Sequence, residues 1–178
     1  IVYFMVHKKI VIIVGPTAVG KTALALKIAQ KHNGVMFSAD SIQVYIGLDI
    51  ISGKDKDTLS NTPLKLVDLV FLFFSYSVSS YVSDFENELK KTSALPVLVG
   101  GTGFYISALL QPIETRKVKS DSTLRSKLNS LSVLELQNIL HVLDAEKLQS
   151  MNNSDRNNPR RLIRAIEIVQ NQESRIIN

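Results

Sequence analysis

The sequence predicts an α/β fold: a parallel sheet flanked by helices, with a helical subdomain appended. Three observations carry that reading. Residues 10–14, IVIIV, are a continuous β-branched run without polar alternation, as in a strand buried on both faces of a parallel sheet. GPTAVGKT follows at once, and then residues 21–31, where Leu24, Ile28 and their alanine neighbours keep helical spacing. Strand, glycine loop and helix in that order are the setting in which G-x-x-x-x-G-K-[ST] cradles phosphate, so the sheet is of the phosphate-loop, P-loop NTPase-like type. Beyond Pro112 the chain turns polar and basic, and its remaining periodic segments are helical. That shift divides the chain into a phosphate-loop core, 1–113, and a helical segment, 114–178.

The elements follow in order. Residues 1–9 are apolar but broken by Lys8 and Lys9. The run is too short for a membrane span of about 20 residues and reads as an edge strand or an untranslated scar rather than a signal peptide. Asn33-Gly34 closes the first helix. Residues 35–38 form a second strand that delivers Asp40 to the carboxyl edge of the sheet, where ligands of open parallel sheets sit. SGKDKDTLSNTP, 52–63, reads as a mobile surface loop, and 65–74 as a further apolar strand region. SVSSYVSDFENELKKTS is a helix with a serine near its start and Phe85 and Leu89 on one face. PVLV, 96–99, is a buried strand running into GGTGFYISALL, a second glycine turn that opens a helix with Tyr105 in the core. Short helical patterns lie at 122–130, 132–141 and 144–151, with Asp144 and Glu146 at a helix start. NNPRRLIRAIEIVQN is a fourth helix, with Asn158 as N-cap and Pro159 in its first position.

Composition limits the partners. The 178 residues are 45% apolar and 21% charged, ordinary for a globular chain with a real core. Lys plus Arg is 21 against 16 Asp plus Glu, so the net charge of +5 leans toward an anionic partner. The chain has no cysteine, which excludes disulfides and thiolate metal sites and is compatible with a reducing compartment. His7, His32 and His141 are scattered without ligand spacing and read as structural. A cytoplasmic monomer with no membrane association is the expectation.

The chemistry concentrates in two places. In the loop, the backbone N–H groups from Ala18 to Lys21 converge on phosphate, aided by the positive end of the following helix. Gly15 and Gly20 permit the tight turn, and Pro16, Thr17, Ala18 and Val19 complete it. Lys21 brings a point charge, and the Thr22 hydroxyl suits a magnesium ion (Mg2+). The loop alone does not name a reaction. A nucleoside triphosphatase needs an acidic residue at the end of another strand, and PVLVG ends in glycines. The strand-end carboxylate is Asp40. The residues therefore describe a phosphate-loop transferase with Asp40 as general base, and a small-molecule kinase shares every one of these features.

Five blocks carry a resemblance: GPTAVGKTALAL, ADSIQVYIGLDI, VSSYVSDF, LPVLVGGTGFYISALL and NNPRRLIRAIEI. In this order and spacing the chain resembles the tRNA dimethylallyltransferase (tRNA isopentenyltransferase) family. The resemblance implies transfer of a dimethylallyl group from dimethylallyl diphosphate to the exocyclic amine of an adenosine beside the tRNA anticodon. It implies that residues 15–22 hold the donor diphosphate with magnesium, and that Asp40, Thr102 and Lys21 are catalytic. It also implies tRNA contacts at Asp40, Ser41, Ile42, Gln43, Thr102, Arg125, Arg160, Arg161, Leu162, Ile163 and Arg164.

The sequence departs from the family in two ways. Its members run longer, so the chain reads as truncated after RRLIRAIE, without later segments that add tRNA contacts. A histidine-rich block of the family reads LKLVD here, with Lys65. Three alternatives stay open: a phosphate-loop kinase, an adenylate isopentenyltransferase, and an inactive RNA-binding fragment. Arg160, Arg161 and Arg164 also suit a plain solvated helix face.

Overall fold

The computed structural model describes residues 2–5, 8–54, 59, 62–111, 118 and 120–176. They fall into two compact units, Ile1–Ile113 and Glu114–Asn178.

The first unit is built on a five-stranded sheet of order β1-β2-β5-β3-β4. Its strands are β1 (Val2–Met5), β2 (Lys8–Val14), β3 (Val35–Ser38), β4 (Leu64–Lys65) and β5 (Pro96–Gly100). Strands β2, β5, β3 and β4 run parallel, and β1 pairs antiparallel on the outer edge of β2. Helices α1 (Lys21–Lys31), α2 (Asp49–Ser52), α3 (Val78–Lys91) and α4 (Gly103–Leu110) complete the unit.

Period-two alternation sends side chains to two cores, one on each face of the sheet. Val35, Phe37 and Leu98 join Tyr81, Phe85, Leu89, Tyr105 and Ile106 of α3 and α4. Met36, Val97 and Val99 face Ala25 and Ala29 of α1. The Phe37 and Phe85 rings meet edge-on at 5.2 Å, and Tyr81 stacks on Tyr105 at 4.0 Å. Tyr105 is thus a core residue, as expected.

Three expectations need correction here. β2 is not buried on both faces: Ile10 is closed off, but Val14 is 54% exposed. The fully buried strands are the interior pair, β3 and β5. β2 lies next to the edge, and its carboxyl end opens directly into the loop.

The strand expected over 65–74 stops at Lys65. Leu66 and Asp68 take positive φ, 64° and 53°, which breaks an extended run, and residues 71–74 turn outward with Phe73 97% exposed. The loop expected at 52–63 begins inside α2 and buries Lys54 and Leu59; its residues 55–58, 60 and 61 lie outside the described residues.

The second unit contains α5 (Ser122–Leu128), α6 (Val133–Leu143), α7 (Ala145–Ser150), α8 (Asn153–Arg156) and α9 (Pro159–Ile176). The short α8 has no periodicity to announce it. The helix starts are set by side-chain caps from Asp121, Ser132, Asp144 and Asn152, and Ser132 with Glu135 forms a full capping box. Asn158 caps α9 through the Arg161 N–H (3.3 Å). Leu162, Ile163, Ile166 and Val169 recur at helical spacing and bury against Leu128, Leu136 and Leu140. No helix among the described residues is long and apolar enough to cross a membrane.

Candidate active site

Parallel pairing brings the carboxyl ends of β2, β3 and β5 side by side, so the three loops that follow meet. The β3 and β5 ends are stitched together: Ala39 N–H donates to the Val99 carbonyl (2.7 Å), and Thr102 N–H to the Ala39 carbonyl (3.0 Å). Gly100 makes the approach possible, because a Cβ there would stand 2.2 Å from the Ala39 oxygen. Gly101 lies against the Gly15 carbonyl, which sets the second glycine turn beside the phosphate loop.

The loop itself is bent by Ala18 and Gly20, with φ of 66° and 81°. Left-handed residues of this kind turn successive N–H groups toward one concavity. α1 starts from Gly20, which supplies no side-chain cap, and it has no acidic residue in its first turn. Its first N–H groups and its positive end are therefore left to an anion. The Lys21 ammonium donates to the Pro16 carbonyl, which holds it across the loop.

A cleft of about 490 Å³ opens over these residues. Thr17, Ala18, Gly20, Lys21 and Thr22 line one side, and Asp40, Gln43, Lys54, Gly100 and Gly101 face it too. Asp40 is held from two directions. Its Oδ1 accepts from Ile42 N–H (2.8 Å), and the adjoining Ser41 N–H donates to Thr102 Oγ1 (2.9 Å). Asp40 therefore caps the turn after β3 through Oδ1 and lines the cleft. Thr102 Oγ1 in turn donates to Ser41 Oγ (3.3 Å). Gln43 Oε1 accepts from Ser38 Oγ (2.6 Å), while Ile42 stands 44% exposed. The Tyr105 hydroxyl is pushed up to about 12 by burial, reinforced by Tyr45 and by the charge of Asp40, so it stays protonated at neutral pH.

In the helical unit the expected RNA-contacting residues separate. Leu162 and Ile163 are core residues, 0% and 4% exposed, so their side chains have no surface to offer RNA. Arg160 is exposed. Arg161 pairs with Asp155. Arg125 grips the buried Glu167 with two bonds (2.6 and 2.8 Å), and Arg164 reaches the same carboxylate (3.0 Å) and the Val118 carbonyl (2.9 Å). Burial alone would raise the Glu167 carboxyl. Its bonds from Arg125, Arg164 and the Asp121 N–H outweigh that, and hold it below the usual carboxylate range.

Two important residues escaped sequence reasoning: Glu167, inside a block already singled out, and Lys54, read as part of a polar loop. No local pattern marks either one. Their partners, Arg125 for Glu167 and Asp68 for Lys54, are 42 and 14 positions away.

A phosphate loop, a carboxylate at the end of the next strand and a glycine turn against both define a phosphate-loop α/β protein. The IPP transferase family model matches residues 43–178, and an isopentenyl transferase model matches 8–66. A tRNA dimethylallyltransferase of Pediococcus pentosaceus is 39% identical over 171 residues, 92% of this chain and 54% of that protein. The solved tRNA isopentenylpyrophosphate transferase of Bacillus halodurans is 34% identical, with TM-score 0.57 over 90% of this chain and 55% of that one. A eukaryotic dimethylallyltransferase solved acting on tRNA is 25% identical, with TM-score 0.80 over 96% of this chain and 44% of that one. The chain belongs to the IPP transferase family. It spans about half the length of the curated relatives it matches.

Proposed function

We propose that this chain transfers a dimethylallyl group from dimethylallyl diphosphate to N6 of the adenosine adjacent to the anticodon of a tRNA. The observation that carries the reading is a single cleft shared by the phosphate loop and Asp40. Family membership and relatives named for this reaction support it. A cytoplasmic setting fits a tRNA substrate and a chain without cysteine.

The reaction breaks the bond between the allylic carbon and the diphosphate oxygen and forms one from that carbon to N6. The electron pair of the broken bond leaves with the diphosphate. The loop N–H groups, the α1 terminus and Lys21 meet that charge where it develops. The adenine amine is a weak nucleophile, because its lone pair is delocalised into the ring. Asp40 Oδ2 accepts the N6 proton as the new bond forms, while Ile42 N–H keeps the carboxylate oriented through Oδ1. Thr102 holds the Asp40–Ser41 turn by accepting from Ser41 N–H. The target base must leave its stack to enter the cleft.

Magnesium fits the residues present. No cluster of three or more acidic, His or Cys ligands exists among the described residues, and this ion takes few protein ligands when phosphate and water oxygens complete its shell. The Thr22 hydroxyl, lining the cleft, would hold it. When bound, it neutralises charge on the departing diphosphate.

Labelled donor and unmodified tRNA test the proposal. Asp40→Ala should lower transfer on the order of 10²–10⁴-fold while diphosphate affinity stays within about twofold, since the loop N–H groups, the α1 terminus and Lys21 hold the phosphate without Asp40. Near wild-type transfer by that variant would remove Asp40 from the base role. Stoichiometric ADP formation from ATP with an acceptor would overturn the reaction class.

A further inference from the structure

A buried ammonium is costly unless it is fully paired. Lys54 is such a group: its side chain is 0% exposed although its sequence context is polar. Its three N–H donors face three oxygens: the Tyr45 carbonyl (2.5 Å), Asp68 Oδ1 (2.6 Å) and Asp49 Oδ1 (3.3 Å). These come from three separate segments: the loop after β3, the first turn of α2, and the turn after β4.

The same segments are also joined through their backbones. Asp68 N–H donates to the Gln43 carbonyl (3.0 Å), and Leu69 N–H to that of Val44 (2.7 Å). Gln43 Nε2 donates to the Ser52 carbonyl (3.1 Å), two residues before Lys54. Asp68 and Leu66 hold positive φ, which non-glycine residues adopt only where their surroundings over-determine them. Both Gln43 and Lys54 reach the wall of the cleft that contains Lys21 and Asp40. Lys54 is poorly suited to bind the diphosphate, since its donors are already taken by protein oxygens. Lys21, by contrast, donates among the described residues to the Pro16 carbonyl, a neutral partner it can exchange.

We propose that Lys54 is a positioning residue: through Asp68 and the Tyr45 carbonyl it clamps the segment bearing Gln43 into the acceptor-side wall of the cleft. The inference rests on the reading above that an acceptor base enters the cleft and meets Asp40.

The test compares Lys54→Met, Lys54→Arg and Asp68→Asn with the unaltered chain. It measures KM for tRNA, affinity for inorganic diphosphate, and amide hydrogen exchange at residues 41–46, 68–70 and 97–99. Lys54→Met should raise the tRNA KM on the order of tenfold or more, because small displacements at a site are amplified in rate and binding. Diphosphate affinity should hold, and exchange should quicken at 41–46 and 68–70 but not at 97–99. Lys54→Arg should recover much of the loss, and Asp68→Asn should shift the same readouts in the same direction. If Lys54→Met fails to fold, Asp68→Asn decides alone, since it keeps both the shape and the ammonium. Weakened diphosphate binding with an unchanged tRNA KM would overturn the proposal, and so would loss of stability with neither moved. If the unaltered chain modifies no tRNA, the functional reading falls, and exchange still decides the clamp: faster exchange confined to 41–46 and 68–70 supports it, and uniform or absent change overturns it.

Discussion

Gly100 shows how tightly single residues set this site. Its missing Cβ lets the ends of β3 and β5 close to hydrogen-bonding distance, and that closure puts Asp40 beside the phosphate loop. The neighbour it would strike is backbone, which cannot swing aside. Gly100→Ala should therefore cost at least about 1–3 kcal/mol, read as a lower urea midpoint, with loss of transfer beyond what destabilisation explains. Gly20 differs: a Cβ there meets nothing within 4 Å, so only its left-handed φ of 81° resists substitution. Both glycines stood out in the sequence. Their different physical reasons did not, because one depends on a neighbouring strand and the other on a local dihedral. Asp40 was legible because a strand end followed by an acid needs only local pattern and the general rule for parallel sheets. Lys54 was not, since a lysine among polar residues is nearly always solvated.

At the level of elements, the helical unit hangs on one buried carboxylate. Glu167 is 1% exposed at its side chain and ties Arg125 on α5 to Arg164 on α9. Its pKa is depressed in the folded chain, so its stabilising effect is full above the ordinary glutamate range. That effect is lost as pH falls through the depressed value. Urea midpoints for melting of the helical signal should therefore decline below about pH 4, and Glu167→Gln should flatten that decline. At neutral pH the same substitution should cost about 1–3 kcal/mol, because both arginines are part exposed and can turn to water. α1 and α3 were readable from their helical spacing, and β3 and β5 from short continuous apolar runs. The stretch after β4 was not. Its apolar composition, LVDLVFLFF, reads as strand, while the positive φ of Leu66 and Asp68 comes from the contacts around Lys54 and Gln43.

For the whole molecule the prediction concerns charge. If the proposed tRNA substrate binds, the net +5 and the exposed Arg160 make its affinity fall steeply with salt. Arg160→Ala should weaken binding to all tRNA sequences alike and flatten the log–log salt slope by about 0.7–0.9. An unchanged slope in a filter-binding titration would place Arg160 off the phosphate backbone. Arg125 should behave differently. Its guanidinium is committed to Glu167, so Arg125→Ala should lower the stability of the helical unit more than it changes the slope.

The strand–loop–helix opening, the phosphate loop and the strand-end Asp40 followed from sequence alone, because each rests on local periodicity or a contiguous motif. Only the tertiary structure decided which arginines are held by a buried glutamate, that Leu162 and Ile163 belong to a core, and that Lys54 is paired inside the cleft wall. The deciding contacts, Arg125 with Glu167 and Lys54 with Asp68, join residues 42 and 14 positions apart, and burial of the shared carboxylate or ammonium is set by packing that no local window shows.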